Sequence, residues 1–238
     1  MEALTITENR NIKNKTFEIN SHLHSYISSV LTANVSNANN LKPRTELDSH
    51  VNMAVLGNRC FVFDHTGKSF NVSAFNPSLE STKLPIVDAV IVYDCPYSLH
   101  SYLLLIRNAL YLKEANDNLI PPFLLREAGL RVNDCAKQHA HPHATNDHHS
   151  IFFPDEELRI HLKLNGIFSY FHHRAPHLEE IDNLKVLFLT PDSASWDPHS
   201  THFEERESSL IDHNGDVIST PPNHLLFSSL MRILLTMQ

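Results

Sequence analysis

From residue 45 to residue 133, short apolar-rich runs alternate with clusters of turn residues, and little helical spacing interrupts them. That texture predicts β structure. Residues 59–64 and 69–75 are two such runs, and His65-Thr66-Gly67-Lys68 between them reads as a hairpin turn. Residues 84–93 form a long β-branched run that turns at Asp94-Cys95-Pro96-Tyr97 and returns through 102–106 to 109–111. Asn118-Leu119-Ile120-Pro121 closes the strand region. Residues 122–128 then predict one or two helical turns, with proline at the start and Gly129 as the stop.

Upstream, Leu23, Tyr26, Ile27, Val30 and Leu31 recur at a 3.6-residue period and predict one short helix inside a polar stretch. Downstream, 151–153, 158–164 and 166–171 read as further short strands. The pattern divides the chain into a polar tail or linker (1–43), a β domain (44–135), a histidine-rich loop (136–150), a β-rich extension (151–198) and a poorly structured tail (199–238). No internal repeat is present.

Composition narrows the function. The 238 residues are 42% hydrophobic, enough to build a core, and carry a formal net charge of -8. No basic face is available to neutralise phosphates, so nucleic-acid binding by this region is excluded. Cys60, Cys95 and Cys135 are widely spaced and odd in number, which fits free thiols in a reducing compartment. The first twenty or so residues lack an apolar signal core, and the apolar patches from 225 to 237 are short and broken by Arg232. A cytoplasmic protein without a membrane partner is expected.

The stretch 47–57 carries the candidate chemistry: Asp48 is followed by Ser49, and Val51, Ala54, Val55 and Leu56 return the chain to a core. An ordinary Asx turn at a strand end accounts for Asp48-Ser49 taken alone. A carboxylate on such a turn becomes a catalyst when a second one faces it, because two close carboxylates share a proton and together activate water. The chain has one Asp-Ser turn, so the second acid has to come from another copy. Asp64-His65-Thr66-Gly67 has an inserted histidine and reads as a turn, while Asp88 and Asp94 read as the polar edges of a strand.

Three motifs in order resemble copia-type retrotransposon polyproteins in their retropepsin-like aspartic protease region. They are Leu47-Asp48-Ser49, then Arg107-Asn108-Ala109-Leu110-Tyr111, then the run from Asn118-Leu119-Ile120-Pro121 through the apolar helix to Gly129. The resemblance covers about 44–133 and weakens through Trp196-Asp197-Pro198-His199. It implies a mostly antiparallel half-barrel with one short helix, working as a homodimer on a peptide or polyprotein, with no cofactor and no metal. It implies Asp48 as the catalytic acid and Ser49 as the residue steadying its mate. His50, Val51 and Asn52 would line the substrate backbone, and the polar stretch 72–84 would be the mobile flap. It also places the protein within virus-like particles.

His50 departs from the pattern, since the family usually has glycine there. Either the turn is a variant form that still works, or the ring blocks the dyad and the domain is a catalytically dead relic of the same fold. A third reading rests on His139, His141, His143, His148 and His149, which offer imidazoles for a metal-binding or interaction module. No cysteine or patterned carboxylate completes that set, and a solvated tract explains it better.

Overall fold

The densest β-branched run forms the centre of the main sheet. β4 (Thr82–Asp94) pairs antiparallel with β5 (Ser101–Tyr111) from Ile86↔Leu110 to Asp94↔Ser101, with the predicted turn between them. The computed structural model describes residues 42–72, 81–192 and 196–218. The predicted helix around Leu23–Leu31 and the last twenty residues lie outside them. Two compact units divide the chain at Trp196, and each is described by itself.

In the first unit β1 (Arg44–Leu47), β2 (Val55–Leu56), β3 (Phe61–Val72) and β6 (Asn118–Ile120) join β4 and β5. So do β10 (Lys163–Asn165), β11 (Phe168–His172) and β12 (Lys185–Phe188). The order is β10-β11-β1-β6-β2-β5-β4-β3, with β12 also on β5, among the described residues. β7 (Arg131–Asn133), β8 (Ser150–Phe153) and β9 (Leu158–His161) form a second, three-stranded sheet. The mostly β expectation holds. The pairing is less uniformly antiparallel than expected, since β1/β6, β2/β5 and β5/β12 run parallel.

Helix α1 (Pro122–Glu127) forms where proline opens it and Gly129, at a φ of +84°, ends it. Leu124 and Leu125 turn inward from it. The main core gathers the inward residues of β4 and β5 (Ala89, Ile91, Leu104, Ile106) with Leu56, Ile120, Ile151, Ile160 and Phe171. Among the described residues no helix is long and apolar enough to cross a membrane.

Three expectations are corrected. His65-Thr66-Gly67-Lys68 does not turn the chain: β3 runs straight through, pairing Phe61↔Val90 at one end and Val72↔Thr82 at the other. Those residues form an irregularity between His65↔Val87 and Ser69↔Pro85, where Gly67 takes a φ of +73° and Thr66 Oγ1 donates to Ile86 O. Secondly, residues 151–192 are woven into the same unit as 44–135. β11 pairs with β1, β12 pairs with β5, and Phe171, Ile151 and Ile160 share the main core. Thirdly, the tail is not featureless. Its described part holds α3 (His202–Ser208) and a turn in which the Asn214 and Asp216 amides donate to Asp212.

Beyond β11 the chain reaches the far side of the sheet. Val92 N–H donates to Arg174 O (2.8 Å) and Arg174 N–H returns to Val92 O (3.1 Å), so one bridge links the continuation of β11 to β4. The Arg174 guanidinium then donates to Asp94 and to Glu180, on helix α2 (Leu178–Asn183). These charge-assisted bonds hold the Asp94 and Glu180 carboxyls below their usual range.

Between the two sides of this wrap lies a buried polar network. Thr45, Asn118 and His173 are all buried, on β1, at the start of β6 and just past β11. His173 Nδ1 lies 3.0 Å from Thr45 Oγ1, and Asn118 Nδ2 lies 3.3 Å from both Thr45 Oγ1 and His173 Nε2. Asn118 Oδ1 accepts the Gly57 amide, which fixes its Nδ2 as the donor. His173 Nε2 therefore accepts, Nδ1 carries the proton, and the ring is neutral. Burial pushes its pKa down to about 3, assisted by neighbouring His172.

The sign follows from that depression. A ring held neutral contributes stability above the ordinary imidazole value, and the contribution is lost as pH falls from about 6.5 towards 3. Each pH unit below the ordinary value costs about 1.4 kcal/mol. Between pH 7 and pH 5 the wild-type urea-unfolding free energy is expected to fall about 2 kcal/mol further than that of His173→Gln. Equal pH dependence in the two proteins would contradict a buried neutral ring.

Candidate active site

Asp48 follows β1 directly, and three contacts tie that strand to the segment carrying β6. At its start Arg44 N–H donates to Asp117 Oδ1 (2.8 Å), and in its middle Thr45 meets Asn118. At its end Asp48 N–H donates to Ile120 O (3.1 Å). The parallel ladder thus extends one step past β1 and sets the turn residue at a fixed place. Leu47, inside the core, anchors it from below.

Asp48 Oδ1 accepts the backbone N–H of His50 at 2.8 Å, the two-residue reach of an Asx turn. His50 Nδ1 lies 3.3 Å from the same oxygen. The Asp48 side chain is 29% exposed and the His50 side chain 91% exposed, so the ring stands out in solvent and fills no groove. His50 is not among the residues with positive φ. A side chain is therefore accommodated where the resemblance led to an expectation of glycine, and the amide still reaches the acid. Ser49 and Asn52 are exposed and Val51 is half-buried. All five predicted site residues thus share one turn, with Asp48 and His50 in contact.

Behind the turn, residues that pattern reading passed over do the positioning. Gly57 approaches the 115–117 backbone so closely that a Cβ would lie 2.5 Å from Ala115 O, and this approach delivers its amide to Asn118. Thr45 and His173 had a legible signal. Each lies two residues from a buried apolar neighbour on its own strand face, Leu47 and Phe171.

Glu46 was also missed. Burial pushes its carboxyl up, Arg44 at 3.4 Å opposes that, and the charges of Asp117 and Asp48 add to the rise. It is the strand neighbour of Asp48 on the same face, held in an Arg44–Glu46–Asp117 cluster beside Tyr170. Its guanidinium contact occupies it as a structural group.

The arms of the expected flap are β3 and β4, which still pair at Val72↔Thr82. Residues 73–80 between them lie outside the described residues. In the histidine-rich loop, His139, His141 and His143 are exposed, while His149 is buried with Nε2 2.9 Å from Ser169 Oγ. His148 Nδ1 accepts the Thr145 amide. Among the described residues no three His, Cys, Asp or Glu side chains converge to hold a metal ion. Asp88, read as a strand edge, is instead buried, accepting the Asn108 amide and the Arg107 guanidinium.

No family model, curated protein or solved structure matches the chain. The local geometry is what remains. It presents a lone, amide-supported carboxylate at a strand end, partly open to solvent. The exposure of the His50 ring yields a direct expectation: His50→Gly changes the thermal unfolding free energy by less than about 1 kcal/mol, because a polar contact made by a solvent-exposed ring contributes little. A larger loss in a thermal melt would mean that the ring packs against the turn.

Proposed function

We propose that this chain is the aspartic endopeptidase region of a copia-type retrotransposon polyprotein, hydrolysing peptide bonds as a homodimer. The observation that carries the reading is the Asp48 turn. Its carboxylate is oriented by the His50 amide, its own amide is tied to Ile120 O, and one face remains open. The His50 ring, 91% exposed, supports the variant-turn reading over a blocked one, since it touches only Asp48 Oδ1, at 3.3 Å, from the solvent side.

Two copies would bring two Asp48 side chains together around one proton. The ionised member takes a proton from water as the oxygen attacks the scissile carbonyl carbon, and its protonated mate gives a proton to the carbonyl oxygen. The tetrahedral diol then collapses: one hydroxyl returns its proton to a carboxylate, the C–N bond breaks, and the amine nitrogen takes the other carboxyl's proton. No covalent intermediate forms. In this reading Ser49 hydrogen-bonds across the two-fold axis, and His50, Val51 and Asn52 line the extended substrate backbone. The setting that accompanies this reading is the cytoplasm, within virus-like particles.

The test is cleavage of apolar-centred peptides by the full chain between pH 4 and pH 6, with sedimentation in the same buffers. Asp48→Asn is expected to abolish turnover by at least about a hundredfold while leaving the sedimentation profile unchanged. Turnover that survives Asp48→Asn, or that is carried by monomer, would remove the dyad.

A further inference from the structure

The second sheet has two unlike faces. Val132, Ile151 and Ile160 turn towards the main core, so the period-2 alternation sets Arg131, Phe152 and Arg159 on the other side. Register brings those three into one row, Arg131↔Phe152 between β7 and β8 and Phe152↔Arg159 between β8 and β9. The Arg131 guanidinium carbon lies 5.1 Å from the centre of the Phe152 ring, and that of Arg159 lies 4.5 Å from it. One ring thus carries a cation from each neighbouring strand, attracted by its negative face. The next row is Asn133, Ser150 and His161, and the Tyr97 ring, 73% exposed, meets the His161 ring in a T at 5.3 Å.

The two guanidiniums differ in what they hold. Arg159 Nη1 donates to Ser150 Oγ (3.0 Å) and Nη2 to Asp147 (2.7 Å), a carboxylate that reaches it from the histidine-rich loop. Arg131 is exposed and pairs with no carboxylate among the described residues. The acid that follows β7, Asp134, contacts Arg126 instead. Lys137, also exposed, adds its charge to that of Arg159 at His161. A guanidinium offers five N–H donors in a planar fork that fits a carboxylate. The row therefore has one fork filled by the chain's own acid and one fork open.

We propose that this face docks an acidic peptide of a partner protein, with a carboxylate on Arg131 as Asp147 sits on Arg159, and an apolar side chain against Tyr97. β7 and β9 lie about 10 Å apart across β8, so four or five extended residues, about 13–17 Å, reach from one group to the other. Asp155, Glu156 and Glu157 form the turn from β8 to β9 and put acids at the end of the sheet, with Glu156 paired to Lys185. They oppose a long polyanion, whereas a short peptide with one or two carboxylates avoids them. The docking is independent of hydrolysis at Asp48.

Fluorescence anisotropy with the full chain and a dye-labelled Glu-Glu-Leu-Phe-Glu peptide tests it, against the same peptide with glutamine in place of glutamate. The acidic peptide is expected to bind with a Kd below about 1 mM and to weaken as salt rises. Arg131→Ala is expected to weaken it about fivefold with an unchanged melting curve, and Arg131→Lys to recover part of the loss. Asp48→Asn, which ends turnover in the hydrolysis reading, leaves the binding unchanged. Equal binding of the two peptides, no binding in that concentration range, or binding indifferent to Arg131→Ala would overturn the proposal. So would a single-stranded oligonucleotide that binds more tightly than the peptide and is released in Arg131→Ala, which would put phosphates on the face.

Discussion

A polar group in a β core is stable only if every donor and acceptor finds a partner, and here that constraint fixes where the candidate acid stands. Asn118 has one orientation that serves Gly57, Thr45 and His173 together. Those three belong to the loop after β2, to β1, and to the segment after β11. Sliding β1 by one residue against β6 would leave several buried polar groups without partners, each costing on the order of 1–3 kcal/mol. Register is therefore specified from the inside. Asp48 follows from it, since the same register gives its amide to Ile120 O.

The network couples the candidate chemistry to pH through stability. Aspartic dyads work in acid, where one of two carboxyls keeps its proton. In that range the His173 ring resists protonation, and its neutral state in the fold becomes a growing cost. His149, His161 and His172 add to this, their pKa values lowered chiefly by burial. The Arg174–Glu180 pair acts in the same direction at lower pH: the depressed Glu180 carboxyl contributes stability that is lost as pH falls from about 4.5 towards about 2. The acid limb of any activity profile thus contains a folding component.

Much of the fold was legible because it is local. The β-branched run at 84–93, the proline and glycine around α1, and the short strands at 151–171 are patterns of neighbouring residues, and they fell where pattern placed them. What failed was non-local. Gly67 and its polar neighbours have turn chemistry, yet the long partner β4 continues past them and absorbs them as a strand irregularity. Nothing in the sequence of 168–172 says that it pairs with β1, so it read as part of an extension. The candidate turn was legible from Asp48 and the apolar residues after it. Its supports were harder to see: His173 was one histidine among 18, and Asn118 looked like a strand opener.

The state of the His173 ring tests the central claim most directly. Nitrogen-15 NMR of the full chain between pH 7 and pH 4.5 reads which ring nitrogen carries the proton. A neutral ring with Nδ1 protonated and Nε2 bare, unchanged across that range, is what the Asn118 network requires. A ring protonated at Nε2, or one that gains its second proton near pH 6.5, would mean that the network does not hold β1 in place.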